Sequence, residues 1–126
     1  MTVKDIFELG TALIQEKVGE DPDTSYFTPL FLNIAMAECL DNENQYRAAI
    51  GMDELAQLPT VKALTDEVPF VNPKLTRIAM PYALASHYYR DNNDMTHEQM
   101  FRAEFVSAVM DATPFVTESV TDYYGG

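Results

Sequence analysis

The sequence predicts an all-α fold, a small four-helix bundle with a long loop and an extended C-terminal tail. Apolar residues recur at three- and four-residue steps in four separate segments, which is the helical period. Residues typical of helix starts precede three of these segments, namely Thr2, Asn72 and Thr96. The length of 126 residues and the 47% hydrophobic content suit one globular domain. The predicted helices span residues 2–18, 27–48, 73–90 and 96–111.

The first predicted helix begins at Thr2, which forms a capping box with Asp5 in place of the usual Glu or Gln. Gly10 lies on the apolar stripe, where the missing side chain would let another helix approach closely. Gly19 supplies a stop signal after the helix. The stripe consists of Val3, Ile6, Phe7, Gly10, Leu13, Ile14 and Val18.

The second predicted helix carries Pro29 in its first turn, where proline is tolerated. Glu38 lies within its apolar run, and either reaches solvent or pairs with a buried arginine such as Arg77. The single cysteine, Cys39, is interpreted as a small core residue; it excludes a disulfide framework and favours a reducing compartment. The face expected to be buried consists of Phe27, Leu30, Phe31, Ile34, Ala37 and Leu40.

The third predicted helix is apolar on most of its faces, so we expect it at the centre of the bundle. Asn72 is a suitable N-cap, and Pro73 occupies the first helical position. Pro81 falls in the middle, where it removes the hydrogen bond to the Arg77 carbonyl and should kink the helix. Either the bend helps the helix wrap its neighbours, or the freed carbonyl has a functional role.

The fourth predicted helix starts with a capping box formed by Thr96 and Gln99. Its buried stripe is expected to contain Phe101, Phe105, Ala108 and Val109. Combining the stripes of the helices gives a predicted set of core residues, which are Leu75, Ile78, Tyr82, Ile34 and Phe105.

Two stretches lack the helical period. Residues 51–71 form a long loop whose spaced apolar residues suggest that it packs along the bundle surface. The chain is divided into a helical domain, 1–113, and an extended tail, 114–126. The tail has strand composition, and is expected either to be disordered or to add to a sheet on another chain. Its expected partner-docking residues are Val116, Val120, Tyr123 and Tyr124.

Composition and motifs argue against several classes of function. The net charge of −12 disfavours tight binding to nucleic-acid phosphates. No apolar run approaches the length of a membrane span, and the N-terminus lacks a signal-peptide layout. His87 and His97 lie on different predicted helices, and the stretch from Asp21 fails as a calcium loop because Tyr26 replaces the required glycine. We therefore expect no catalytic residues, no metal and no cofactor.

Four segments resemble small head–tail connector (adaptor) proteins of tailed bacteriophages and prophages. They are residues 30–41, 53–61, 65–70 and 77–85, which include the sequences LFLNIAMAECLD and RIAMPYALA. The resemblance implies a structural protein of the virion, not an enzyme, that assembles as a homo-oligomeric ring beneath the portal.

The same resemblance implies the partners and the location. The partners would be the portal protein and other head–tail joining proteins, with DNA only as passing cargo and no membrane. The location would be the head–tail interface of the virion, after assembly in the host bacterial cytoplasm. A negatively charged ring lumen would let duplex DNA slide without sticking. The alternative is an acidic helical regulator that binds a basic protein or mimics DNA.

Overall fold

This computed structural model describes residues 1–14 and 22–113, without the side chains of 22–25. The described part is an all-α helical bundle that contains no strand, which confirms the predicted fold class. Its elements are α1 (Val3–Ile14), α2 (Pro22–Glu38), α3 (Leu40–Ala49), a π-helical turn (Leu75–Ala79), α4 (Met80–Asp91) and α5 (Met95–Ala112).

Helix α4 is the centre of the bundle, as its apolar faces predicted, with α1, α2 and α5 packed around it. Gly10 of α1 faces this helix closely: a Cβ added there would lie 3.3 Å from the Leu84 Cβ and 3.5 Å from the Pro81 carbonyl oxygen. Glycine therefore permits the tight packing of α1 on α4. The largest fully buried apolar side chains of the core are Ile6, Leu32, Met36, Leu75 and Met80.

The backbone before Pro81 forms a π turn instead of a regular α-helix. Pro81 has no N–H to donate to the Arg77 carbonyl. In the preceding turn the Met80 N–H donates to the Leu75 carbonyl, five residues back, which is the π pattern. The turn takes in one extra residue just before the position where proline interrupts the α-helical hydrogen bonds. The bend of the helix axis at Pro81 stays a prediction.

The second predicted helix is in fact two helices, α2 and α3, that meet at Cys39. Cys39 leaves the helical conformation, with φ −116° and ψ 20°. Its thiol donates to the Ala35 carbonyl at 3.1 Å, so the buried side chain has a hydrogen-bond partner. Gly51 follows α3 with φ +78°, a left-handed conformation that glycine adopts readily. Prediction from period alone missed the break because apolar residues flank Cys39 on both sides, at Ala37 and Leu40.

Burial confirms part of the predicted core and overturns the rest. Leu75 and Phe105 are buried, and Tyr82 is half-buried. Ile34 and Ile78 were wrongly predicted to be core residues, since their exposed fractions are 50% and 48%. Helix α2 has apolar residues on both of its faces, and the face opposite Ile34 is the one that enters the core: Thr28, Leu32, Ala35 and Met36.

The predicted helix caps have two different outcomes. The capping box of α1 is confirmed, because the Thr2 N–H donates to the Asp5 carboxylate and the Asp5 N–H donates to the Thr2 hydroxyl. The box predicted at Thr96 and Gln99 is wrong, since α5 begins one residue earlier, at Met95. Asp94 is the N-cap, and its carboxylate accepts the His97 N–H at 3.1 Å.

Candidate functional site

The loop 51–71 is held against the bundle by paired amide hydrogen bonds. The Asn33 side chain of α2 accepts the Val61 N–H at 2.9 Å and donates to the Val61 carbonyl at 2.8 Å. The Asn44 side chain of α3 does the same for Leu55, at 2.8 and 3.2 Å. Each asparagine thus satisfies both backbone groups of one loop residue, as a neighbouring strand would do. The prediction that the loop packs along the surface is confirmed.

Glu43 is the most buried charged group in the described part of the chain, with no exposed surface. One carboxylate oxygen accepts the Asn72 N–H at 3.0 Å, while the other accepts the Val71 N–H at 3.0 Å and Arg47 Nε at 2.7 Å. The Arg47 guanidinium also donates to the Pro69 carbonyl at 2.9 Å. A buried carboxylate is tolerated only when it is paired and hydrogen-bonded in this way. The Glu43–Arg47 pair therefore fixes the end of the loop to α3.

Asn72 joins the loop end to two helices. Its side-chain oxygen accepts the Lys74 N–H at 3.0 Å, which confirms the predicted N-cap. Its side-chain nitrogen donates to the Ala112 carbonyl, at the end of α5, also at 3.0 Å. Beside this contact, the Asn42 side chain of α3 donates to the Thr113 hydroxyl. The last described residue of the chain is thus fixed next to the start of α3.

The N-terminal residues pair with the last third of the same loop. Thr2 and Glu67 form an isolated antiparallel bridge, and the Val3 N–H donates to the Asp66 carbonyl at 3.0 Å. The Asp66 carboxylate accepts the N–H groups of Lys62 and Ala63, and these hydrogen bonds lower the pKa of Asp66. The loop is therefore ordered by its own turn as well as by the helices.

Helix α2 presents an apolar stripe to the outside of the bundle. The stripe consists of Tyr26, Phe27, Leu30 and Ile34, which are all exposed. The Tyr26 and Phe27 rings meet edge to face, with centroids 5.0 Å apart. No charged residue occurs between positions 26 and 37, in a chain whose net charge is −12. An exposed, uncharged apolar surface of this kind is typical of a contact site.

A second exposed surface lies on α5. An open depression of about 470 Å³ follows the outer side of this helix. Arg102 marks its edge towards α2, where its guanidinium pairs with the Glu38 carboxylate and lies 5.0 Å from the Phe105 ring centroid. Of the alternatives for Glu38, pairing with Arg77 is therefore wrong: the partner is Arg102, at the surface. The depression is lined by Gln99, Arg102, Ala103, Val106, Ser107 and Met110.

The titratable side chains of the described residues do not form a reactive cluster. Burial, with the charges of Glu38 and Glu43, raises the pKa of the Cys39 thiol to about 12, so the thiol stays protonated. His87 stacks on the Phe31 ring at 4.4 Å, and burial lowers its pKa. His97 is exposed and contacts Asp94. Across residues 1–14 and 22–113, no group of three or more His, Cys, Asp or Glu side chains could hold a metal ion.

The residues predicted to dock a partner lie outside the described residues: Val116, Val120, Tyr123 and Tyr124. Pro81 is described, and lies buried at the contact between α1 and α4. Sequence reasoning missed Glu43, Asn33 and Asn44. Their only sequence signal is a polar side chain at helical spacing, which surface residues share.

No family model matches the chain, and neither characterised proteins nor solved structures contain a match. None of the helices in the described ranges has the length and apolar character needed to cross a membrane.

Proposed function

We propose that this protein is a non-enzymatic head–tail connector of a tailed bacteriophage or prophage, which assembles as a ring beneath the portal. The observation that carries the proposal is the uncharged apolar stripe on α2, exposed on an otherwise strongly acidic protein. Such a surface supports assembly through protein contacts, because apolar burial is the main driving force of association. The resemblance of residues 30–41 and 77–85 to connector proteins supplies the kind of assembly.

The hydrogen-bonded loop supports the same role. A loop of 21 residues is unusual in a compact domain unless it has a function. Here the loop is held in a defined conformation by Asn33, Asn44 and Glu43. A preordered loop loses little entropy when it contacts a neighbouring subunit, which favours assembly. The net charge of −12 also suits a channel wall that DNA passes without binding.

The experiment is reconstitution with the portal ring, whose gene the proposal predicts to lie near this one. The full chain is mixed with purified portal, and the products are examined by negative-stain electron microscopy and gel filtration. We expect a second ring attached to the portal. The variant that lacks residues 114–126 should keep the circular dichroism of a helical bundle and fail to attach. A full chain that never joins the portal would contradict the proposal.

The acidic charge favours a second candidate, a regulator that binds a basic protein or mimics DNA. Of the charged residues, 20 are acidic and 8 are basic. Such a regulator would bind basic proteins with an affinity that falls steeply with salt, because surface charges are screened. Portal attachment through the apolar stripe and the tail would persist at high salt. Repeating the reconstitution at about 1 M salt, where the screening length is about 3 Å, therefore separates the two.

A further inference from the structure

We propose that the apolar stripe of α2 (Tyr26, Phe27, Leu30 and Ile34) is the docking site for the chain's own C-terminal segment, residues 114–126. In the free subunit this segment would cover the stripe of the same molecule. The proposal does not depend on the connector function.

Composition makes the segment a suitable occupant. The stripe has no charge, so it suits an occupant that offers apolar side chains. Only Glu118 and Asp122 are charged among the 13 residues of the segment. The segment offers five apolar or aromatic side chains: Phe115, Val116, Val120, Tyr123 and Tyr124.

The position of Thr113 puts the start of the segment within chain reach of the stripe. The Asn42 side chain, at the start of α3, holds the Thr113 hydroxyl. Ile34 precedes Asn42 by eight residues and Phe27 precedes it by fifteen. At the helical rise these are axial distances of at most about 12 Å and 22 Å, because the helix breaks at Cys39. An extended segment of 13 residues reaches about 43 Å, whereas a helical one of about 20 Å would stop short of Phe27. The segment is therefore long enough to follow the stripe on its own molecule.

Two considerations favour the chain's own segment over a second copy. Tethering beside the stripe gives the segment a high effective concentration, on the order of mM for a short linker. The stripe has four side chains, whereas a standard protein–protein interface uses roughly 20–30 residues a side. In the free protein, a second copy seated on this stripe alone, without the other contacts of a ring, would bury too little surface for a stable dimer.

Disulfide trapping in the full chain tests the proposal. The test pair is Leu30→Cys with Val120→Cys, oxidised at low protein concentration and examined on a non-reducing gel. The competing pair is Ser107→Cys with Val120→Cys, which reports a segment lying in the α5 depression instead. The native Cys39 does not interfere, because it is buried and its pKa is raised to about 12.

We expect the Leu30 pair to form an intramolecular disulfide, seen as a monomer of altered mobility, at least tenfold faster than the Ser107 pair. Crosslinked dimers from the Leu30 pair would overturn the proposal in favour of exchange between copies. Faster disulfide formation by the Ser107 pair would place the segment on α5 and would also overturn the proposal. Equally slow disulfide formation by both pairs would overturn it too.

A second measurement uses single substitutions in the full chain. Val120→Asp should release the segment and increase the fluorescence of a dye that binds exposed apolar surface by about twofold or more. Thr117→Asp, a matched addition of charge in the same segment, should leave the fluorescence closer to that of the parent. Circular dichroism confirms that both variants stay helical. Equal fluorescence of parent and Val120→Asp would count against a covered stripe.

Discussion

The loop 51–71 and helix α2 differ in how their backbone groups and side chains interact with the rest of the bundle. The loop has no helical period, yet backbone groups of Leu55, Val61 and Val71 are bonded by side chains of the helices. Helix α2 has a regular helical backbone, yet it turns Phe27, Leu30 and Ile34 away from the core. A helix satisfies the hydrogen bonds of its own backbone, so its outward side chains are available for other contacts. An irregular segment needs polar groups from neighbouring elements to satisfy its backbone N–H and carbonyl groups.

The largest expected effect comes from removing the carboxylate that holds the loop end. Glu43→Ala leaves Arg47 without its carboxylate partner and two backbone N–H groups without an acceptor. We expect a loss of about 3–5 kcal/mol in the free energy of unfolding, the usual cost of breaking a buried pair. Urea unfolding followed by circular dichroism measures it.

The matched control is Glu54→Ala, which removes an exposed carboxylate from the same loop. Its effect should stay within about 0.5 kcal/mol, as for most surface changes. If the two variants were equally stable, the loop would not depend on Glu43.

The next effect compares the two faces of α2. Leu32 has no exposed surface, whereas Ile34 is half-exposed two residues further on. Leu32→Ala should cost about 2–5 kcal/mol, and Ile34→Ala about 0.5 kcal/mol or less. Urea midpoints of the two variants check the difference. A large loss of stability for Ile34→Ala but not for Leu32→Ala would show that α2 buries the face predicted from sequence. That result would contradict the exposed stripe.

Sequence reasoning identified the buried residues correctly where the bulkiest apolar side chains of a helix lie on one face. Helix α5 buries Phe101, Phe105 and Ala108 as predicted, because its two phenylalanines lie four residues apart on one face. It failed at Ile34 because α2 is apolar on both faces, and only the neighbouring elements decide which face is buried. Candidate contact surfaces therefore depend on tertiary packing that the period does not encode.

The loop contacts show a different limit. Glu43 belongs to a helix, but its partners lie 28 and 29 positions further along the chain, at Val71 and Asn72. Nothing in the local sequence distinguishes it from an acidic residue on a solvated helix face. The N-cap role of Asn72 was predictable because a cap needs only adjacent residues.

A smaller effect is expected from the amide pairs. Asn44→Ala removes both hydrogen bonds to Leu55 and leaves its backbone groups to find water. We expect a loss of about 1–3 kcal/mol, with faster amide hydrogen exchange near residue 55 than elsewhere. Gln45→Ala, an exposed neighbour on the same helix, is the control and should change neither quantity. Uniformly faster exchange over the whole bundle would show that Asn44 supports the fold and not the loop in particular.

The smallest effect is a pH dependence confined to the loop turn. Hydrogen bonds from the Lys62 and Ala63 N–H groups lower the pKa of Asp66 from its ordinary value of 3.8. Because the folded pKa is the lower one, the ionised carboxylate contributes stability above pH 3.8, and this contribution is lost as pH falls through the folded pKa. The difference in urea midpoint between the parent and Asp66→Ala should therefore be constant from pH 7 to about pH 5 and shrink below about pH 4. Glu54→Ala controls for the change in net charge. A difference that stays constant down to about pH 2, below the ordinary range of carboxylates, would show that the turn does not need the ionised carboxylate.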